Sequence, residues 1–279
     1  MCRTCGLVQQ TPMPGNEELR QYYQNQYRLE YKGVTSPRPK HVVRAGRLAL
    51  ERIRCLQAQV GAARRSLIDL GAGGGEFVYL YKALGLGTVC GVEPNRGYCE
   101  HARLELGVEV SPTEMSQVTG TYQTVTMFHV LEHLTDPLST FEKLHSLLEP
   151  GGVLFIEVPS VEEPAQSPTN SFFKAHTLYF SEASLTAVAS ACFEKMWSDT
   201  STGCLRAVFR RRDKPVPPRL PDADAVKLMG VRLRQRTWPR YLIRGGASGP
   251  VRKLIRNLRE IASAQGSARN TLDLLAQHG

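Results

Sequence analysis

The chain has 279 residues, of which 42% are hydrophobic and 22% charged, and these fractions exclude wholesale disorder. No apolar run approaches the ~18 residues that a membrane-spanning helix needs. The formal net charge of +9 is concentrated near the C-terminus: residues 205–279 carry 17 Lys and Arg against 5 Asp and Glu, and the remainder carries 18 against 21.

The N-terminal region is predicted to be an irregular stub followed by two helices. Residues 1–15 contain Cys2, Cys5 and two prolines and show no periodicity. Residues 16–29 are rich in Glu, Gln, Arg and Tyr, which predicts a helix capped by Asn16. Apolar residues then recur every three or four positions from 42 to 60, which predicts an amphipathic helix. We expect residues 1–40 to form an N-terminal segment before a main domain at 41–212.

Strands and helices alternate from residue 66 onward. Strands are predicted at 66–70, 88–93, 108–110, 123–128, 151–158, 193–199 and 205–211. Most are separated by a predicted helix, which indicates parallel strands with crossover connections. The last two are joined by so few residues that they can form only a hairpin. The sequence therefore predicts an α/β fold: a doubly wound, mostly parallel seven-stranded sheet with an antiparallel final strand.

A Pro-rich run at 214–218 marks the predicted start of a basic helical C-terminal extension at 213–279. Within it, residues 248–264 predict a helix with one apolar face, and cationic residues lie off that face. The apolar residues are Val251, Leu254, Ile255, Leu258 and Ala262, and the cationic residues are Arg252, Lys253, Arg256 and Arg259. Three interpretations stay open: a packed accessory helix, contact with an anionic membrane surface or lipid-linked glycan, and RNA binding. A shortage of aromatic residues makes nucleic acid the least favoured partner.

A glycine-rich turn at 71–75 follows the first predicted strand and precedes a helix. Such a turn permits positive φ angles, and the helix N-terminus offers free N–H groups to an anion. A dinucleotide fingerprint would need a glycine where Glu76 stands, which weakens that interpretation and leaves a plain tight turn as the alternative. Glu93, 18 positions past Gly75, ends the next strand. A carboxylate placed there can accept hydrogen bonds from two ribose hydroxyls.

These motifs together resemble the class I S-adenosylmethionine-dependent methyltransferases over about residues 40–212. The matching segments are 69–75, 91–94, 128–134 and 150–159, together with the closing hairpin. Within that superfamily the chain resembles the branch found with bacterial sugar and surface-glycan biosynthesis enzymes. The Cys2/Cys5 stub, the Tyr-containing segment 17–27 and the motif from His176 to Ser181 carry this second resemblance.

The resemblance implies roles for particular residues in binding S-adenosylmethionine. Asp69 would orient the glycine loop and the methionine amino group, and Glu93, followed by Pro94, would hold the ribose. Phe128 and His129 would border the adenosine and the transferable methyl. The loop residues that would wrap the methionine part are Gly71, Ala72, Gly73 and Gly75.

A hydroxyl acceptor would also need a proton acceptor. His129, Glu132 and His133 follow the strand at 123–128, and His176 and Tyr179 follow the strand at 151–158. His176, His133 and His129 are the catalytic candidates. Each has a structural alternative: His176 as a loop-ordering residue, His133 as a partner for backbone groups, and His129 as a pocket-lining residue.

The seven cysteines are an odd number and are mostly isolated, which favours reduced thiols in a cytoplasmic protein. Cys2 and Cys5 form half of a zinc ribbon, but no second Cys-x-x-Cys follows, so we expect no metal.

We expect a methyltransferase acting on oxygen or carbon of a small-molecule or glycan acceptor. Two alternatives stay open: a methyltransferase for an aromatic or quinone-like acceptor, and a catalytically idle module that binds the cofactor and scaffolds a polyanion through its basic tail.

Overall fold

The computed structural model describes residues 1–15, 18–19, 37–61, 65–162, 167–168, 172–173, 175–201, 203–243, 246–264 and 266–278. Most of the helix predicted at 16–29 lies outside these ranges. The chain divides into two compact units. One comprises Met1–Pro14 with Met127–Arg252, and the other comprises Gly15–Thr126 with Lys253–Gly279.

Seven strands form the main sheet, in the order β4-β3-β2-β5-β6-β9-β8 over the described residues. The nine described strands are β1 (Val8–Gln9), β2 (Leu67–Leu70), β3 (Val89–Val92), β4 (Val110–Ser111), β5 (Tyr122–Phe128), β6 (Leu148–Pro159), β7 (Leu178–Tyr179), β8 (Phe193–Asp199) and β9 (Cys204–Arg211). β2, β3 and β4 pair in parallel, and β9 runs antiparallel to both β6 and β8. The predicted fold, a mostly parallel sheet with an antiparallel final strand, is confirmed.

Helices connect the strands and form the C-terminal extension. The described helices are α1 (Pro39–Val60), α2 (Glu76–Ala83), α3 (Arg96–His101), α4 (Pro137–Ser146), α5 (Glu182–Ala189), α6 (Ala223–Arg234), α7 (Trp238–Ile243), α8 (Gly249–Ser263) and α9 (Ala268–His278). Helix α3 is continued by a π-helical turn, Ala102–Leu106, which ends at Gly107 in the left-handed region. No helix within the described ranges combines the length and apolarity that crossing a bilayer requires.

Helix α1 buries the apolar stripe that its sequence predicts, including Val43 and Ile53. The same face packs against α9, and Gly46 makes this close approach possible. A Cβ atom on Gly46 would lie 2.5 Å from the Leu272 side chain and 2.8 Å from that of Leu275. The end of the chain is therefore part of the unit that contains the glycine loop.

A small second sheet was not predicted. Strand β1 pairs antiparallel with β7, so the N-terminal stub, expected to be irregular, contains a strand. Val8 of β1 packs in a cluster with Tyr179, Val161 and Met229. Two-residue strands are too short to show alternation in a sequence, and their pairing depends on tertiary packing.

Candidate active site

The glycine loop after β2 takes the conformation that its glycines allow. Gly71, Gly73 and Gly75 have φ angles of 79°, 56° and 85°, a region that side chains disfavour. The N–H groups of Gly71 and Ala72 donate to the Val92 carbonyl at 2.8 and 2.9 Å. The loop is thereby tied to the carboxyl end of β3.

Gly91, in β3, supports the loop from below and was not named from the sequence as a site residue. A Cβ atom there would lie 2.6 Å from the Ala72 Cβ and 3.1 Å from the Val78 side chain. Only a glycine lets the loop and α2 pack this closely on the strand. The signal was available in the sequence, because a glycine inside a strand often marks a close approach by another backbone.

Glu93 lies directly after β3 and is 6% exposed. Its carboxylate accepts hydrogen bonds from the Gly73 N–H at 3.1 Å and from the Asn95 N–H at 3.2 Å. The half-buried Pro94 comes next, outside the strand. Each carboxylate oxygen can accept more than one hydrogen bond. The donor and acceptor set therefore fits a ribose, whose two hydroxyls both donate.

Asp69 is buried in β2, where it accepts a hydrogen bond from the Thr126 hydroxyl at 2.7 Å. Burial raises the pKa of this carboxyl to about 7, although the Thr126 bond and the positive charge of Arg52 oppose the shift. A cationic amino group nearby would favour the ionised form. Asp69 thus fits the predicted role beside the glycine loop, and Thr126 is a partner that the sequence analysis did not identify.

Strand β5 ends at Phe128, which is buried edge-on to Phe155 with ring centroids 5.2 Å apart. His129 follows with a φ of 57°, a left-handed conformation that no other non-glycine residue adopts among those described. Its backbone N–H donates to the Glu157 carbonyl at 2.8 Å. Backbone strain of this kind often occurs at functional sites.

The His129 ring is held between two carboxylates. Nδ1 lies 3.2 Å from Glu132 Oε1, and Nε2 lies 3.0 Å from Glu157 Oε1. Burial disfavours the imidazolium, but interactions with the Cys204 thiol and with these carboxylates outweigh it, and the pKa of His129 is raised well above its usual value. The flanking carboxylates therefore favour the protonated form of His129.

Glu157 and Arg206 complete this network and were not predicted. Arg206 Nε donates to Glu157 Oε2 at 2.5 Å, and both residues are buried. The available signal was a carboxylate inside the most hydrophobic strand, because a buried charge needs a partner. The position of that partner on β9 depends on the strand register, which pairs the two residues directly.

Three further groups meet beside His129. Glu132 is 1% exposed, and its Oε1 lies 4.0 Å from His176 Nε2. Burial opposes ionisation of Glu132, but the neighbouring histidines lower the pKa of its carboxyl. His133 Nδ1 contacts the Ala175 carbonyl at 3.0 Å, and its ring meets the His176 ring edge-on at 4.8 Å. Burial is the main cause that lowers the pKa of His176 to about 4, so its ring is neutral at pH 7.

Two groups of three side chains have potential metal-binding atoms within 4.8 Å of one another among the described residues. They are His129, Glu157 and Cys204, and Glu132, His133 and His176. In the first group both ring nitrogens of His129 already contact carboxylates. In the second, Glu132 Oε1 already contacts His129 and His133 Nδ1 already contacts the Ala175 carbonyl. Glu132 Oε2 is buried without a hydrogen-bond partner in the described part of the chain.

Comparison with known proteins places this site in a family. Residues 43–191, more than half of the chain, match the family model described as a methyltransferase domain. The chain belongs to the class I S-adenosylmethionine-dependent methyltransferases. The cofactor is therefore S-adenosylmethionine, and the predicted superfamily and cofactor are confirmed.

Curated relatives of this methyltransferase include ubiquinone biosynthesis O-methyltransferases. That of Pseudomonas aeruginosa is 29% identical over 114 residues, which is 38% of this chain and 49% of the relative. That of Colwellia psychrerythraea is 34% identical over 98 residues, 32% of this chain and 39% of the relative. The chain thus spans about half the length, or less, of the curated relatives that it matches.

Solved structures agree on the fold. The magnesium protoporphyrin IX methyltransferase of Synechocystis PCC 6803, solved with bound S-adenosylhomocysteine, aligns with a TM-score of 0.52 at 16% identity over 71% of this chain and 100% of that chain. A methyltransferase of Aquifex aeolicus aligns with a TM-score of 0.50 at 18% identity over 63% and 100%. The association with glycan biosynthesis stays a prediction.

Proposed function

We propose that this methyltransferase methylates a hydroxyl oxygen of a small-molecule or glycan acceptor and that His176 takes the hydroxyl proton. The observation that carries the proposal is a neutral imidazole 4.0 Å from the buried carboxylate of Glu132. The O-methyltransferase relatives support oxygen as the acceptor atom, although they match only 38% of the chain or less.

The chemistry divides between the cofactor and the chain. When bound, S-adenosylmethionine supplies a methyl group already activated on a sulfonium. Asp69 and Glu93 would orient the cofactor, with the backbone of Gly71, Ala72 and Gly73 lining it. Because the methyl group is activated, much of the rate depends on positioning the acceptor.

On the acceptor side, the hydroxyl proton must leave as the new O–C bond forms. His176 is unprotonated at pH 7 and can accept that proton. Glu132 would stabilise the imidazolium that results, as a carboxylate does for a histidine base in other enzymes. The carboxylates around His129 favour its protonated form, so it is less suited as a base and instead holds the Glu132 carboxylate in place.

A second candidate acceptor is a hydroxylated aromatic or quinone-like ring. Aromatic side chains surround His176: the Phe173 ring lies 5.1 Å away and the Tyr179 ring 5.8 Å away, centroid to centroid. Such rings pack favourably against a planar acceptor. The names of the ubiquinone-biosynthesis relatives favour the same class.

The test measures S-adenosylhomocysteine formation with two acceptor panels, phenols and nucleotide-activated sugars. With the better acceptor, His176→Ala should lower kcat by roughly 10²–10⁴-fold. Calorimetric affinity for S-adenosylmethionine should stay within about twofold, because His176 lies outside the glycine loop. His133→Asn is the matched control, since it retains a hydrogen-bonding group and should leave kcat within about tenfold.

The outcome also separates the role of His176 from the function itself. A raised acceptor KM with unchanged kcat would assign His176 to ordering its loop rather than to proton transfer. Turnover with neither panel, in protein that binds S-adenosylmethionine, would contradict the proposed acceptors.

A further inference from the structure

Helix α8 exposes its apolar face. Each residue of that face is between 44% and 59% exposed. We call it the α8 stripe, and its members are Val251, Leu254, Ile255, Leu258 and Ile261. A helix that packs on its own domain buries such a face. The apolar face of α8 is therefore not packed against the protein, as the accessory-helix interpretation of the sequence had it.

The polar side of α8 faces the protein instead. Glu260 is 2% exposed and receives two hydrogen bonds from Arg44 of α1, from Nε at 2.8 Å and from Nη2 at 2.5 Å. Arg44 also donates to Asn257 at 3.1 Å, and Arg47 donates to Ser263 at 3.0 Å. These partners recur every third residue, so they share one face, and Glu260 lies on the side of the helix opposite the stripe.

The exposed part of α8 is strongly basic. Arg252, Lys253, Arg256 and Arg259 are all exposed. Glu260 is the one acidic residue from 249 to 263 in the sequence, and it is buried against Arg44. The helix thus offers a continuous apolar stripe flanked on one side by Arg252 and Arg259, with no exposed carboxylate of its own.

We propose that the α8 stripe binds the surface of an anionic phospholipid bilayer. An amphipathic helix of this kind lies in the plane of the interface, with its apolar side chains in the acyl region and its cations among the headgroups. Pairing with a second copy of the stripe is disfavoured because it would bring the basic borders together. Single-stranded nucleic acid binds through aromatic stacking, whereas the stripe is aliphatic.

Helix α7 also exposes apolar and basic side chains. Trp238, Leu242 and Ile243 are 48%, 49% and 86% exposed, and Arg240 is also exposed. Trp and Tyr are enriched where proteins meet the headgroup layer of a membrane. Tyr241 meets Trp238 edge-on, with ring centroids 5.7 Å apart.

The test is co-sedimentation of the full-length protein with vesicles. We expect binding to phosphatidylcholine vesicles that contain phosphatidylglycerol and little binding to pure phosphatidylcholine. The double variant Leu254→Gln/Leu258→Gln should weaken binding at least tenfold, because each leucine loses apolar burial. Leu104→Gln is the matched control: Leu104 is 59% exposed on a different element, so binding should be unchanged.

A charge variant tests the other half of the proposal. Arg252→Gln/Lys253→Gln/Arg259→Gln should weaken binding about a hundredfold, at roughly fivefold per charge, and Arg256 is spared because it contacts Glu260. The changed side chains of the leucine variant are exposed, so its thermal unfolding midpoint should not move.

Three results would overturn the proposal. The first is that the intact protein does not bind anionic vesicles at low salt. The second is that the leucine variant binds the vesicles as well as the intact protein does. The third is that sedimentation velocity shows a dimer of the intact protein but a monomer of the leucine variant. Equal binding to heparin by the intact protein and the leucine variant, without vesicle binding, would assign α8 to a polyanion instead.

Discussion

At the scale of single residues, Glu93 holds the glycine loop in shape and is also the proposed acceptor for the ribose hydroxyls. Without ligand, it joins the glycine loop to the start of α3 through the N–H groups of Gly73 and Asn95. We propose that the same two oxygens also accept hydrogen bonds from the ribose hydroxyls. The loop is thus shaped in advance by the carboxylate proposed to contact the ribose, which would reduce the ordering needed on binding.

Glu93→Ala should therefore weaken S-adenosylmethionine binding by about 1.5–3 kcal/mol, which is roughly 10- to 150-fold. Both the ribose acceptor and the loop support are lost. Isothermal titration calorimetry measures the change directly, and Glu109→Ala is a suitable control because Glu109 is exposed in the same unit. Equal affinities in the two variants would contradict the assignment of Glu93.

The low pKa of His176 predicts how the folding stability changes with pH. A histidine titrates near 6.5 in the unfolded chain and at about 4 here, so between these values only the unfolded state takes up the proton. Stability should fall as the pH drops from 6.5 to 4, by about 3 kcal/mol at most.

His176→Asn should lose less stability over that interval than the unchanged protein, as measured by thermal unfolding at several pH values. The raised pKa of His129 acts with the opposite sign, but it is present in both proteins and cancels in the comparison. The same acid slope in both would show that His176 titrates normally.

The residues proposed to bind the cofactor could be identified because each lies in or just after a strand, at a recognisable motif. The acceptor-side network was predictable only in part. His129, Glu132, His133 and His176 were visible as candidates, but the sequence does not show that Glu132 is shared between His129 and His176. That sharing depends on a left-handed backbone at His129 and on the path of the chain before β7.

At the scale of elements, the alternating pattern located the strands and helices to within a few residues. β8 spans the predicted 193–199, and β9 begins one residue before the predicted 205. The pattern works there because most of β9 is a buried run and the short connection to β8 permits only a hairpin. It failed for β1 and β7, where a two-residue bridge has no periodicity, and it could not show which side of α8 faces the protein.

The packing of β3 against the glycine loop supplies a prediction at this scale. Gly91→Ala places a methyl group 2.6 Å from Ala72, so the loop or the strand must shift. We expect a loss of stability of about 1–3 kcal/mol and weaker binding of S-adenosylmethionine. Gly85→Ala is the control. Gly85 has open space around it but a φ of 67°, so the substitution should strain the backbone without displacing the glycine loop.

Calorimetry and chemical denaturation separate these effects. Gly91→Ala should change both affinity and stability, and Gly85→Ala should change stability alone. Unchanged cofactor affinity in Gly91→Ala would show that the loop can adjust without cost.

At the scale of the whole molecule, the C-terminal extension is not uniform. The sequence presents residues 205–279 as one basic region with 17 cations, but its last two helices behave in opposite ways. Helix α9 buries Leu272 completely against α1, and its Asp273 receives a hydrogen bond from Tyr79 at 2.5 Å. Helix α8 leaves its leucines in solvent. Composition does not distinguish the two helices, because both are amphipathic. Only the fold determines whether the apolar face of each is buried.

Matched leucine truncations measure this difference. Leu272→Ala removes a side chain that is 0% exposed and leaves a cavity beside Gly46, so it should cost about 2–5 kcal/mol of folding stability. Leu258→Ala removes the same atoms from a side chain that is 58% exposed and should change stability by no more than about 0.5 kcal/mol. Urea denaturation of both variants, without vesicles, gives the comparison. Similar losses would mean that the α8 stripe is buried in solution, which would also remove the surface that the lipid proposal requires.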